Sequence, residues 1–281
     1  MQLQNKDDII YPSKITEKVY TMDKKMIFNE NVEIYEKYRP RYVPQLYYDI
    51  AKYSDMDDKS RVLEIGAGTG QATEWFVSQN VHLTAIDIGE NMTQYLQKKF
   101  YNTPNVVIKN CSFENYKTEN NLLDLVYSAT AFHWLDEDFA LEKIKGLLKP
   151  NGTVALFWNH PFVNRDNDKL HVELRKIYNK YRPADKSPKE FDENATKKYL
   201  DLLNKHGFNN VVSKLYYSER KMTAKNYIGL LNTYSDHRLL PDSIKESFEN
   251  EVYELINKNG NLITIYDTID LYLGKYNKHC E

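Results

Sequence analysis

The sequence predicts an α/β fold: a doubly wound, open sheet of parallel strands carrying a helical cap. Three observations predict it. From Arg61 onward, short β-rich runs alternate with helical patterns, the order produced by parallel strands joined through crossover helices. A glycine-rich run from Glu64 to Gly70 directly follows the first strand, where nucleotide-binding α/β sheets place their ligand loop. After Asn159 the alternation breaks into a polar stretch with Pro183 and Pro188, a poor candidate for sheet and a good one for a lid. At 281 residues the chain suits one α/β domain with a helical insertion. Its 41% apolar and 28% charged residues are ordinary for a globular protein with a full core.

Each element has its own warrant. A first strand over 61–65 is followed by a helix over 71–79. The second strand, 81–86, is closed by Asp87, and Met92, Tyr95 and Leu96 lie at helical spacing in a helix over 91–100. Strands three and four fall at 106–109 and 123–128. Asp136 is placed to cap a helix whose apolar stripe is Phe139, Ala140, Ile144, Leu147 and Leu148. Lys149-Pro150-Asn151-Gly152 cannot continue that helix, and a fifth strand covers 153–158. Beyond Asn159 a short helical pattern spans 170–181, and a helix near 195–206 ends at Gly207, the usual place for a C′ glycine. A strand over 211–217 precedes helices over 223–233 and 241–258, the second with Ile244, Phe248, Val252 and Ile256 on one face. Asn259-Gly260 then turns the chain into a long last strand over 262–273.

Bulk properties narrow the function. A net charge of −2 gives no general pull toward nucleic acid or an anionic membrane. Cys111 and Cys280 lie far apart, which argues against a disulfide framework; Cys111 reads as a small buried filler. No Cys/His cluster has metal-ligand spacing. The N-terminus lacks an apolar signal core, and no stretch is apolar enough to span a bilayer, so a cytoplasmic location is expected.

The chemistry concentrates in Val62-Leu63-Glu64-Ile65-Gly66-Ala67-Gly68-Thr69-Gly70. Glycines after a buried strand let the backbone turn sharply and approach a ligand, and the next helix presents its N-terminus there. Spacing discriminates among the ligands. Glycines at 66, 68 and 70 with Gln71 next do not make the G-x-G-x-x-G dinucleotide fingerprint, and no Lys-Ser/Thr pair follows to make a P-loop. Glu64, two residues before the first glycine, suits a ligand with a positive end, such as the sulfonium and amino group of S-adenosylmethionine. Asp87 ends the second strand about twenty residues on, where a carboxylate accepts hydrogen bonds from both ribose hydroxyls.

Glu64-x-Gly66-x-Gly68-x-Gly70, Asp87 and Leu148-Lys149-Pro150-Asn151-Gly152 together resemble the motif series of class I S-adenosylmethionine-dependent methyltransferases. Three more stretches resemble a small-molecule subset that includes trans-aconitate methyltransferase-like proteins: Tyr38-Arg39-Pro40-Arg41-Tyr42, Ser112-Phe113-Glu114-Asn115-Tyr116 and Ala129-Thr130-Ala131-Phe132-His133-Trp134. The resemblance covers residues 28–158 and is topological thereafter. It implies a Rossmann-like seven-stranded sheet whose last strand is antiparallel and inserted between strands five and six. The expected organisation is an N-terminal cap segment over 1–50 and a methyltransferase domain over 51–281, with cap insertions near 160–190 and 223–258.

The resemblance also implies roles. Glu64, Gly66, Ala67, Gly68 and Gly70 line the methionine end of S-adenosylmethionine, Asp87 binds the ribose, and Ile88 and Met92 flank the adenine. The backbone of Cys111, Ser112 and Phe113 meets the adenine edge, although many relatives place a carboxylate where this chain has Ser112. Ala129 and Thr130 border the sulfonium, and Tyr38 and Arg39 close over the cofactor.

The acceptor side is open to more than one reading. His133, the expected catalytic residue, serves as a general base if the acceptor must lose a proton; a lone histidine is otherwise a packing residue. A carboxylate acceptor needs no base, and catalysis then rests on in-line positioning. Arg41 and Arg39 suit an anionic acceptor or the cofactor carboxylate, against the plainer reading of solvated surface charge. Trp134, Trp158, Asn159, Tyr234, His237 and Arg238 are candidates to line the acceptor pocket, each also explicable as structural. The Asn/Asp-Pro-Pro-aromatic signature of nucleic-acid and protein amide methylation is absent; Ser128-Ala129-Thr130-Ala131 stands in its place. The expectation is therefore methyl transfer to a small molecule, with no nucleic-acid or membrane partner. The rivals are a non-catalytic S-adenosylmethionine-binding sensor or partner protein, and an RNA or protein methyltransferase.

Overall fold

The computed structural model describes residues 31–182 and 188–277. The first thirty residues of the N-terminal cap segment, Pro183 and Cys280 lie outside the described residues. Two helices come first among the described residues, α1 (Val32–Tyr38) and α2 (Pro44–Ser54), with Pro44 at the first helical position. The sequence reading gives 1–50 only as a cap segment and assigns no individual helices there. The alternating part follows: β1 (Arg61–Ile65), α3 (Thr73–Ser78), β2 (His82–Asp87), α4 (Glu90–Lys99), β3 (Val106–Asn110), β4 (Leu123–Ala129), α5 (Glu137–Leu147) and β5 (Leu148–Phe162). Then come α6 (Lys169–Tyr181), α7 (Lys197–Lys205), β6 (Asn209–Met222), α8 (Ala224–Leu231), α9 (Ser235–Arg238), α10 (Asp242–Lys258) and β7 (Ile263–Tyr276).

The strands form one seven-stranded sheet in the order β3-β2-β1-β4-β5-β7-β6. β1 to β5 are parallel, and β7 runs antiparallel between β5 and β6. This is the expected doubly wound sheet with an inserted antiparallel last strand. Alternation along each strand feeds two cores. Leu63, Val126, Val154 and Leu156 face α5 and α7 with Ile144 and Leu203. Val62, Leu125, Tyr127, Ala155 and Phe157 face α2 and α3 with Leu46, Ile50 and Phe76.

Asp136 caps α5 as expected, its carboxylate accepting from Phe139 N–H at 3.0 Å. The predicted stripe needs one correction. Phe139 is 46% exposed, and the inward face is Ala140, Leu141, Ile144 and Leu147. Phe139 sits in the first turn, where rotation of a single position decides which side faces the sheet. Lys149-Pro150-Asn151-Gly152 does stop the helix but forms a bulge rather than a loop. Pairing with β4 jumps there from Leu123↔Leu148 to Leu125↔Thr153.

β5, β6 and β7 are longer than the pattern indicates, at 15, 14 and 14 residues. Their far ends leave the central sheet as an antiparallel ribbon, with Phe162 paired to Tyr266 and Met222 to Ile263. That ribbon carries a third core, built by Leu174 of α6, Tyr227 and Leu230 of α8, Phe248 and Val252 of α10, and Ile263 and Ile265 of β7. α1 joins this cap through Tyr38, whose ring fills the space above Gly229: a Cβ there would come within 2.5 Å of it.

Candidate active site

The carboxyl ends of β1, β2 and β4 meet under α1 and α9, the position where open α/β sheets bind ligands. A cavity of about 280 Å³ opens there. At one end lie Asp87, Ile88, Met92 and Cys111 to Glu114; at the other lie Thr130, Ala131, His133, Trp134 and Tyr234. A smaller lobe of about 40 Å³ sits beneath, between Glu64, Ala67, Gln71, Arg39 and Asn159.

The glycine loop is shaped by three left-handed residues, Gly66 (φ 74°), Gly68 (φ 56°) and Gly70 (φ 92°). They do different work. Gly66 lets the β4 loop touch the β1 loop, since a Cβ there would lie 2.4 Å from Ala131 Cβ. Gly68 lines both lobes. Gly70 does not reach the cavity; it packs under α4, where an added Cβ would meet Leu96 at 2.8 Å.

Asp87 anchors the loop. Its carboxylate accepts from Gly68 N–H at 2.8 Å and from Gly89 N–H at 2.7 Å. Burial pushes its acidity toward the neutral form, and those two N–H groups pull it back. Glu64 is 1% exposed, accepts from Thr73 Oγ1 at 2.5 Å, and is pushed up to about 8 by burial. Thr130 follows β4 with φ 53°, a strained value for a β-branched residue. Its N–H donates to Phe157 O at 2.8 Å, and its hydroxyl shares a 2.6 Å hydrogen bond with Tyr42.

Arg39 lies across the cavity roof. Its guanidinium sits 4.9 Å from the Tyr35 ring centroid and 4.5 Å from that of Tyr234, while Nη2 donates to Thr233 O at 2.7 Å. His133 lines the acceptor end, and Trp158 Nε1 donates to its Nδ1 at 2.9 Å. Burial against the surrounding rings, with Lys198 and Arg39 adding repulsion, pushes His133 down to about 4. Cys111 is partly buried and lines the cavity rather than filling the core as expected; burial pushes its thiol up.

Of the residues singled out from sequence, Arg39, Gly66, Ala67, Gly68, Glu64, Asp87, Ile88, Met92, Cys111, Ser112, Phe113, Ala129, Thr130, His133, Trp134, Asn159 and Tyr234 gather on the two lobes. Others stand elsewhere. Tyr38 points away into Gly229, and Tyr35, one helical turn before Arg39, takes its place on the cavity wall. Arg41 faces outward in a network with Glu36 and Glu74. Trp158 is buried behind His133, stacked on Tyr199 at 4.4 Å. His237 is buried in the cap against Glu249 at 2.8 Å, and Arg238 stays off the cavity lining. Both belong to α9, whose Ser235 and Asp236 do reach the cavity. Tyr35 carried a signal that sequence reading passed over: it is the i−4 neighbour of Arg39 on a helical face. Asp236 carried none, because its placement depends on the cap folding back.

The residues fit S-adenosylmethionine on their chemistry. The small lobe pairs an acid, Glu64, with a guanidinium, Arg39, as a zwitterionic amino-acid end requires. It also holds Asn159, whose buried amide nitrogen and oxygen both lack partners in the protein. Among the described residues no group of acidic, histidine or cysteine side chains is arranged to hold a metal, and no helix is long and apolar enough to cross a membrane.

Comparison with known proteins agrees. Residues 62–152 match the family described as a methyltransferase domain. The chain is 32% identical over 231 residues to an uncharacterized methyltransferase of Schizosaccharomyces pombe, covering 82% of this chain and 86% of that protein. In fold it resembles a type II methyltransferase from Anaeromyxobacter dehalogenans, with TM-score 0.62, 16% identity and coverage of 86% and 99%. It also resembles the Haemonchus contortus phosphoethanolamine N-methyltransferase 2 solved with phosphomonomethylethanolamine and S-adenosylhomocysteine, with TM-score 0.54, 15% identity and coverage of 94% and 61%. Sheet order, glycine loop and relatives converge, and the chain belongs to the class I S-adenosylmethionine-dependent methyltransferases.

Proposed function

We propose that the protein methylates a small, anionic acceptor in the cytoplasm, as the trans-aconitate methyltransferase-like subset does. The observation that carries this reading is the enclosure of the acceptor end. Tyr35 and Arg39 of the N-terminal segment and Tyr234, Ser235 and Asp236 of the cap roof it, leaving a cavity rather than an open groove. A small acceptor fits such a space whole, whereas a protein or nucleic acid could present only a side chain or an extruded base to it. Arg39 brings the cationic partner for a carboxylate, within reach of the amino-acid end of the cofactor and of the acceptor. The Haemonchus contortus protein, bound to a small phosphorylated amine, shows that this fold accommodates small acceptors in that protein.

In this reading Asp87 holds the ribose, Ile88 and Met92 flank the adenine, and Glu64 and Asn159 receive the amino-acid end. S-adenosylmethionine supplies a methyl carbon on a sulfonium. The protein's part is to exclude water and align the acceptor with that carbon. The test is a metabolite screen with methyl-labelled S-adenosylmethionine. Label transferred to a small acid supports the proposal; label found only in added RNA or protein overturns it.

A further inference from the structure

His133 was expected to act as a base if the acceptor carries a proton. Its surroundings point the other way. Trp158 Nε1 lies 2.9 Å from His133 Nδ1, and an indole nitrogen can only donate. Nδ1 must therefore present its lone pair, which leaves the proton of the neutral ring on Nε2. We infer that Trp158 fixes His133 in the Nε2–H form, so that His133 donates a hydrogen bond to the methyl acceptor and cannot accept a proton from it. This inference rests on the methyl-transfer reading above.

The arrangement is built rather than incidental. Trp158 is 6% exposed, its ring stacks on Tyr199 at 4.4 Å, and its backbone N–H donates to the buried Asp270 carboxylate at 3.0 Å. Asp270 is in turn held by the Tyr272 hydroxyl at 2.8 Å. The indole cannot turn away without breaking this stack. Among the described residues nothing hydrogen-bonds His133 Nε2, and the ring lines the cavity beside Thr130, Ala131 and Trp134. Protonating Nδ1 would set two N–H groups against each other. The charges around the ring reinforce this: Lys198 of α7 and Arg39 oppose a second proton, as does His160 of β5, while Glu137 of α5 favours one. Ring burial is the largest influence, and together they leave the ring titrating at about 4.

The chemical consequence is specific. The acceptor lone pair forms the new bond to the methyl carbon while the carbon–sulfur bond breaks, its electron pair staying on sulfur. The acceptor gains one unit of formal charge. An anionic oxygen becomes neutral in that step, so no proton has to move. Nε2–H orients such a group by donating to its second oxygen. A neutral hydroxyl acceptor would find no base in His133. Trp158 is then a positioning residue, acting through His133.

The test is nitrogen-15 histidine NMR on the full-length protein, with His133 assigned by its loss in His133→Gln. The expected spectrum has the proton on Nε2 and stays constant between about pH 5.5 and about pH 8.5. In Trp158→Phe, which keeps a ring on Tyr199 and drops the indole N–H, the His133 titration moves up by about one unit or more. Calorimetry with S-adenosylmethionine runs in parallel. Binding together with an Nδ1–H tautomer, or with wild-type titration near the ordinary histidine value, overturns the inference and leaves the methyl-transfer reading intact. Failure of the wild type to bind overturns that reading whatever the tautomer. The wild-type spectrum decides the tautomer even if Trp158→Phe does not fold.

Discussion

Glu64 shows how one buried carboxylate couples ligand binding to pH. It is 1% exposed, and burial raises it from about 4.5 to about 8. The folded, ligand-free protein therefore binds one more proton than the unfolded chain between those values. Stability from this group is fully present below about pH 4.5 and is lost as pH rises through about 8, by an amount on the order of a few kcal/mol. Melting temperature of the ligand-free protein should fall across that window, and Glu64→Gln should flatten the fall. A cationic ligand end reverses the preference, because it favours the carboxylate. S-adenosylmethionine should then bind more tightly as pH rises toward about 8 and release a proton at neutral pH, read by calorimetry in buffers of different ionisation enthalpy. Affinity independent of pH would sink the coupling. Asp87 makes the companion case. Asp87→Ala removes the acceptor of the Gly68 and Gly89 N–H groups as well as the ribose contact, so affinity should drop about ten-fold or more by titration. An unchanged affinity would remove Asp87 from the site.

At the scale of elements, α1 is strapped onto the glycine loop by charge. Glu36 takes Lys99 at 2.9 Å and Arg41 at 2.8 Å, and Lys99 also reaches the Thr69 carbonyl at 3.0 Å and Glu74 at 2.7 Å. The same helix is wedged at its end by Tyr38 on Gly229. Gly229→Val should displace α1, at a cost of about 1–3 kcal/mol of local packing, and speed release of S-adenosylmethionine measured by stopped flow. Unaltered release would mean that α1 does not retain the cofactor. These elements also show what a sequence discloses. β1, its loop and Asp87 were readable because left-handed turns demand glycine and a sheet end exposes few side chains. Asp136 was readable because capping is local chemistry. Tyr38 and Tyr35 were not separable, since both stand near Arg39 and only the helix phase decides which faces the cavity. The far ends of β5 and β6 were invisible because their pairing lies outside the central sheet, on mixed polar residues such as Lys221 and Arg220, whereas the β7 end they pair with falls within the strand read over 262–273.

At the scale of the whole molecule, the site exists only where three separate stretches meet. The β1, β2 and β4 loops form its floor, α1 and the Arg39 segment its roof, and the start of α9 its far wall. Arg39 is the joint, reaching back to Tyr35 of α1 and across to Thr233 and Tyr234 of the cap. A ligand that spans the floor must therefore order the roof if both contact it, since contacts made together share their ordering cost. Hydrogen exchange should report this. On adding S-adenosylmethionine, protection is expected in the glycine loop and at Gly89, whose N–H groups hold the Asp87 carboxylate, and also in residues 32–41 and 233–238, which meet at the cavity roof. Arg39→Ala should uncouple the two: the loop keeps its protection while the gain in 233–238 disappears, because the side chain that bridges them is gone. Protection confined to the loop in the wild type would mean that the roof closes over the acceptor and not over the cofactor, and would transfer Arg39 from the donor side of the reaction to the acceptor side.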